Sequence, residues 1–544
     1  MRHLTVILFL LFSATATAAQ HQHSSTDLSP SSLISNLGKH HHPVSTRNAE
    51  AQRFFDQGVT LIYAFNHDEA VRSFKRAAEL DPQLAMAHWG IALAVGPNYN
   101  LDVDLDREKA AYDAIQKARS LASGATEKER AYIEALAKRY SNDPKPDLKK
   151  LAADYKSAMG ELVSRFPDDL DAATFYADSM MVLKPWQLWS KDGKPAEGTE
   201  EIIRVLESVL KRDPNHVGAN HLYIHAVEAS PRPDRALASA ERLQTLVPAA
   251  GHLVHMPAHI FIRTGDYNAA SRSNAVAAEV DRAYIEKNKV QGMYPLMYYS
   301  HNLHFLAIAS SMEGRFKEAL KAAEQLSAYL TPFAKEMQMV DTFLATPTLV
   351  LVRFRRWDDM LKLPEPDRAT PVTNAFWHFG RGMAYASTGK VEQAEAEQKA
   401  FADAEKAFPA DAVWGFSKMS DITKIAKNML GARIALAKND MKSAIELLKE
   451  AVAIEDTLAY NEPPDWDLPV RESLGGVLLL SGDYKEAEKV FRADLKNNLL
   501  SGRSLFGLLE SLNRQGKKRL ALSVQKQFKA AWKNADTQLR IKDL

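Results

Sequence analysis

The chain has 544 residues, of which 46% are hydrophobic and 25% charged, with a formal net charge of +1 and no cysteine. That charge balance gives no electrostatic footing for a nucleic-acid binder. The missing cysteine excludes disulfides, thiolate metal sites and cysteine nucleophiles. The length is beyond one compact core, so several domains or a repeat array are expected.

Residues 1–19 read as a signal peptide. Arg2 and His3 give a short basic start, Leu4 to Phe12 are almost wholly apolar, and Ala16-Thr17-Ala18 supplies small residues for cleavage. The apolar run is too short for a membrane span. The mature protein is therefore expected to be exported, either to the periplasm of a double-membraned bacterium or into the medium. Residues 20–48 are rich in Ser, Pro and His and are expected to form a disordered arm. His21, His23 and the run His40-His41-His42 read there as a solvated leader, with metal scavenging as the alternative.

From about Arg47 the pattern is helix after helix, with Gly or Asn turns and a period near 34 residues. Within 51–84, Gly58, Leu61, Ala70, Phe74, Ala77 and Pro82 alternate small, bulky, aromatic and helix-ending residues. Ala70-x-x-x-Phe74 recurs as Ala487-x-x-x-Phe491, and Gly382-x-x-Tyr385 repeats the first-helix half of the pattern. A loop residue followed five positions later by alanine marks further units: Gly265/Ala270, Gly314/Ala319, Gly389/Ala394, Asn439/Ala444, Gly482/Ala487 and Gly516/Ala521.

On these residues the chain resembles the tetratricopeptide-repeat (TPR) family, as an exported bacterial-type protein, over nearly everything after the arm. The resemblance implies an all-α fold, a TPR-like α-solenoid in which helix-turn-helix repeats stack into a right-handed superhelix. It also implies that the first helix of each pair lines a concave groove where a protein or peptide partner docks. The expected divisions are N-terminal repeats over 49–216, histidine-lined repeats over 217–330 and C-terminal repeats over 331–536. Proline- and aromatic-rich insertions at 183–195, 286–297 and 461–469 interrupt them and are expected to pack onto the solenoid.

Seven histidines crowd between Asn220 and His304: His221, His225, His252, His255, His259, His301 and His304. Counted back from the loop residues Pro231, Gly265 and Gly314, they occupy just three repeat positions, thirteen, ten and six residues before the turn. At about 100° per residue these positions span an arc of about 60° on a helix. One stripe of each first helix therefore carries every imidazole, and the resemblance turns that stripe toward the groove. Imidazoles paired at i, i+4 on neighbouring helices suit Cu, Zn or Fe, whereas Ca²⁺ and Mg²⁺ prefer oxygen ligands.

Three other residues share the stripe. Glu228 is the carboxylate in register, as a ligand or as a general base toward metal-bound water. Tyr298 could bring a phenol to the ion, and Arg263 could hold an anionic ligand. His378 falls outside the stripe and, with His67 and His88, reads as a structural histidine. H-E-x-x-H, G-x-S-x-G, phosphate-loop and dinucleotide motifs are absent. Three functions follow from the pattern. The first is a scaffold that binds, stores or delivers a transition metal through the histidines. The second is a metal-dependent hydrolytic or oxidative enzyme on the same residues. The third is a metal-free docking scaffold leaning on Arg263, Arg433 and Arg503.

Overall fold

The computed structural model describes residues 32–544, so the signal peptide and the first part of the arm, with His21 and His23, lie outside the described residues. Antiparallel helix pairs follow one another from Ala49–Tyr63 and His67–Leu80 to Gly502–Arg514 and Lys518–Ala531. The only strands among the described residues are the two-residue pieces Val413–Trp414 and Ser417–Lys418. The fold is an all-α, TPR-like solenoid. No described helix is long and apolar enough to cross a membrane.

The repeat signature has a direct packing cause. Phe74 is fully buried, and a Cβ added at either Gly58 or Gly90 would sit 2.5 Å from its ring. One aromatic knob thus fills the space between two first helices, and only glycine lets their backbones come that close. Phe491 repeats the arrangement between Gly475 and Gly507, at 2.4 and 2.1 Å. All six loop residues marked by the five-residue spacing adopt positive φ, from 61° at Asn439 to 84° at Gly482. The alanines that follow them are buried, because the second helix presses there against the first. The spacing also holds at Phe65/Ala70 and Arg355/Met360, where the loop residue is bulky yet still left-handed, at 54° and 55°.

The expected disordered arm is a correction. Its described part, residues 32–48, is laid against the first repeats. Leu37 and His42 are buried there, and Gln57 and Asp56 hold the backbone N–H groups of Ile34 and His42. The anchor is Asp171, whose carboxylate meets His42 Nδ1 at 2.7 Å, His40 Nε2 at 3.2 Å, His216 Nε2 at 3.1 Å and the Tyr63 hydroxyl at 2.6 Å. Burial disfavours a charge at Asp171, but these donors outweigh it and hold its pKa well below the usual value.

The superhelix also closes on itself. Lys191 donates to the Leu458 carbonyl at 2.7 Å, and the Trp186 ring meets Phe416 at 5.3 Å. At the far end, Asp536 accepts from the backbone N–H of Phe316 at 2.7 Å, and the Trp532 ring lies against Gly314. A simple solenoid contacts only its neighbours; this one has brought its C-terminal half back over the histidine repeats. Between the halves runs a cleft of about 1480 Å³, lined by residues such as Tyr99, Trp186, Arg263, Tyr460, Glu462 and Asp467.

Candidate metal centre

The histidine helices are Val217–Val227, the broken pair Gly251–His255 and Pro257–Thr264, and Ser300–Met312. Every residue of Val217–Val227 is buried, as is every residue of Ser300–Met312 except His301, so these helices are covered on all sides. Asp281 fixes the last of them by accepting from Asn302 at 2.7 Å and from the Tyr294 hydroxyl at 2.8 Å. The 286–297 insertion thereby sets the position of His301. Burial lifts Asp281 to a pKa of about 7.

The seven histidines do not line an open groove, as the sequence suggested. His221, His225, His252, His255 and His259 are buried, at 0–3% exposure, and His301 is half-buried. They divide into two sets. His221, His225 and His252 form one and His255, His259 and His301 the other, with one ring nitrogen of each within 4.8 Å of the rest of its set. His252 Nε2 lies 3.1 Å from His221 Nε2, and His255 Nε2 lies 2.8 Å from His259 Nε2.

The opposite ring nitrogens are pinned by acceptors. His221 Nδ1 donates to the Tyr63 carbonyl at 2.6 Å, His225 Nδ1 to Glu228 Oε1 at 3.0 Å, and His255 Nδ1 to Asn274 Oδ1 at 2.7 Å. A carbonyl or carboxylate oxygen can only accept, so each Nδ1 carries the proton and each neutral ring keeps its lone pair on Nε2. That is the tautomer a metal ligand needs, oriented by an outer hydrogen bond. Burial and the neighbouring imidazoles push the pKa values of His221, His252, His255 and His301 down, keeping those rings neutral.

His259 differs. Its Nδ1 lies 2.7 Å from Glu228 Oε2 and 3.1 Å from Glu462 Oε2. Burial works against its charged form, but the two carboxylates overcome it and hold the pKa at about 10. Glu228 moves the other way, to about 2: burial would raise it, and His259 and His225 more than reverse that. Glu228 is thus buried with each oxygen turned to a histidine, one from each set.

The other expected partners lie at the margin. Tyr298 packs its ring on His252 at 4.8 Å, with its hydroxyl 3.5 Å from Asn100 Nδ2. Arg263 donates to the Glu228 carbonyl at 3.2 Å and stands over the Tyr460 ring in the cleft. His304 is not in either set; its Nε2 is 3.7 Å from Asp467. His378, outside the stripe, binds Glu397 at 2.6 Å.

Sequence spacing missed Glu462, Tyr460 and an aromatic shell. Glu462 comes from the 461–469 insertion and is hydrogen-bonded by Tyr460. Phe65 meets His221 at 4.5 Å and His252 at 5.2 Å, while Tyr99 and Trp186 lie 5.2 and 5.7 Å from His225. Phe305 covers His255 and His259. The prolines of the 461–469 and 183–195 insertions were the available signal, marking ordered non-helical chain, but spacing alone could not say where it lands.

The second histidine group, around Asp171, is of another kind. His216 Nδ1 accepts the backbone N–H of Ala219 at 3.1 Å, so its Nε2 carries the proton that points at Asp171. A protonated Nε2 offers no lone pair to a metal. That cluster is a hydrogen-bonded anchor.

No protein-family model matches the sequence, and no curated protein matches it. Among solved structures, the chain is similar to the P58(IPK) TPR domain at 13% identity, covering 87% of this chain and 99% of that one with a TM-score of 0.22. It is similar to the human IFIT1 dimer with m7Gppp-AAAA at 14% identity, over 90% of this chain and 91% of that one with a TM-score of 0.32. Yeast Tom70 matches at 11% identity, over 88% and 93%, with a TM-score of 0.29. The fold assignment stands on the chain's own helix pairs and not on these distant superpositions.

Proposed function

We propose that this chain is a TPR-like scaffold, exported as its first nineteen residues suggest, that holds transition-metal ions in its buried histidines. One observation carries the reading: within each set the ring nitrogens converge, Nε2 on Nε2 for His221/His252 and for His255/His259, while acceptors on Nδ1 hold His221, His225 and His255 in the ligand tautomer. Burying many imidazoles in a protein interior is costly unless their polar atoms find partners. His225 Nε2 and His252 Nδ1 have no hydrogen-bond partner, and metal ligation would satisfy the first directly. All-nitrogen sets suit copper, zinc or iron.

The test is elemental analysis of untagged protein from its native compartment, beside the His255→Ala/His259→Ala variant. The wild type should carry close to stoichiometric metal, and the variant should lose the ions of its set with its helical content intact. N-terminal sequencing of the same sample checks export.

Metal-dependent catalysis is the second reading, favoured by the cleft of about 1480 Å³ whose Tyr99, Trp186 and Glu462 reach the histidines. Three protein ligands leave an ion with a position open to substrate. Docking of a peptide without metal has less support. Arg503, one of its expected anchors, is buried against Glu472 at 2.7 Å and is not free to meet a partner.

A further inference from the structure

We infer that the two histidine sets make one dinuclear centre: two transition-metal ions, each on three imidazoles, linked through Glu228 and open from the cleft to a small bridging anion. The inference rests on the metal reading above and adds the number of ions, their coupling and the class of exogenous ligand.

The repeat register builds it. The first set takes the positions ten and six before Pro231, His221 and His225, and the position thirteen before Gly265, His252. The second set takes the positions ten and six before Gly265, His255 and His259, and the position thirteen before Gly314, His301. The sets are therefore one constellation generated twice by a shift of one repeat. A third copy would begin at His304 but meets Ile308 six before Gly314 and Thr342 thirteen before Arg355, so the series stops. Upstream, the position thirteen before Pro231 is Gly218, which has no ligand to offer. The leftover His304 turns to Asp467 instead.

The two copies abut. His225 and His259 have ring centroids 5.8 Å apart, and so do His252 and His255. Glu228 spans the junction, with Oε1 3.0 Å from His225 Nδ1 and Oε2 2.7 Å from His259 Nδ1. A single carboxylate thus orients one ligand of each ion. Imidazole ligands bring no negative charge, and an ion on the second set must displace the Nε2 proton of His259, so each ion is compensated only by the outer carboxylates, which favours an anion as the added ligand. The cleft ends against this centre, with Tyr99 and Trp186 between it and His225 and Glu462 between it and His259, so an anion would enter past these side chains.

The experiment titrates the metal-freed, full-length mature protein with cupric ion and follows bound metal together with the electron paramagnetic resonance signal. The histidine centre should take two ions, and the doubly loaded protein should show well under twice the singly loaded signal because the ions couple. His221→Ala and His255→Ala should each keep one ion with its full signal. Glu228→Gln should weaken binding at both sets, by about ten- to a hundred-fold. Azide should change the visible absorption of the doubly loaded protein and leave the single-set variants unchanged. Ions on the N-terminal histidines persist in the His221→Ala/His255→Ala double variant and are subtracted. One ion shared between the sets, or two with additive signals, overturns the inference while leaving metal binding intact. No ion at all overturns the metal reading itself. Should a variant lose its helical content, the wild-type stoichiometry and signal ratio decide alone.

Discussion

Glu462 Oε2 lies 3.1 Å from His259 Nδ1, joining the proline-rich insertion of the C-terminal half to the middle of the histidine repeats. The contact acts on one set alone, because Glu462 meets no histidine of the other. Glu462→Gln should therefore weaken metal at the His255/His259/His301 set by about tenfold, at the lower edge of outer-shell effects. The His221/His225/His252 set should keep its affinity. Competition against a chelator, read separately in His221→Ala and His255→Ala backgrounds, checks this; equal losses at both sets would show Glu462 acting on the whole centre.

Much of this was legible in the sequence, and the reason is periodicity. The five-residue spacing at Gly265/Ala270 and its kin reports a local backbone event, a left-handed turn followed by a helix contact, so it survives in the letters. The three-position register of the histidines reports a helix face and is equally local. Glu462 and Phe65 were missed because nothing near them in the chain encodes the partner they meet across the superhelix. Burial was misjudged for the same reason: a stripe that should face a groove is covered once the C-terminal half folds back over it. The arm over 32–48 was read from composition, which cannot see that Asp171 collects its histidines.

Asp171 is the keystone of that arm. Asp171→Ala removes a buried acceptor from His40, His42, His216 and Tyr63 together, and should cost about 3–5 kcal/mol. Equilibrium denaturation measures the loss, and limited proteolysis should cut first within 32–48. Unchanged stability would mean that the segment is held by its apolar contacts instead.

The same anchor gives a pH dependence. Burial alone would lower the His40 pKa, but the charge and hydrogen bond of Asp171 hold it above 6.5. A raised histidine contributes stability fully below 6.5 and loses it as pH rises through the folded-state value. Asp171, held low, contributes above 3.8 and loses its share as pH falls through its folded-state value. Protection of 32–48 should therefore be greatest between 3.8 and 6.5 and decline on the alkaline side. Proteolysis rates across pH, compared with His40→Ala, test it; parallel profiles in the two proteins would contradict the assignment to His40.

Phe74 links two first helices through Gly58 and Gly90. Phe74→Ala should cost about 3–5 kcal/mol by opening a cavity in the first repeats. Gly265→Ala acts at another point, where φ is 83° and the new Cβ would lie 2.6 Å from the Leu499 carbonyl oxygen. It should cost about 1–3 kcal/mol and loosen the closure of the superhelix. Thermal unfolding of each variant gives the comparison, with small-angle scattering to read the closure for Gly265→Ala.

The central claim is that buried imidazoles hold metal. Elemental analysis of untagged protein from its native compartment, alongside His255→Ala/His259→Ala prepared identically, tests it most directly. The account predicts close to stoichiometric copper, zinc or iron in the wild type and loss of the second set's ion in the variant, with helical content unchanged. Wild-type protein that carries no metal and takes up neither cupric nor zinc ion would contradict it.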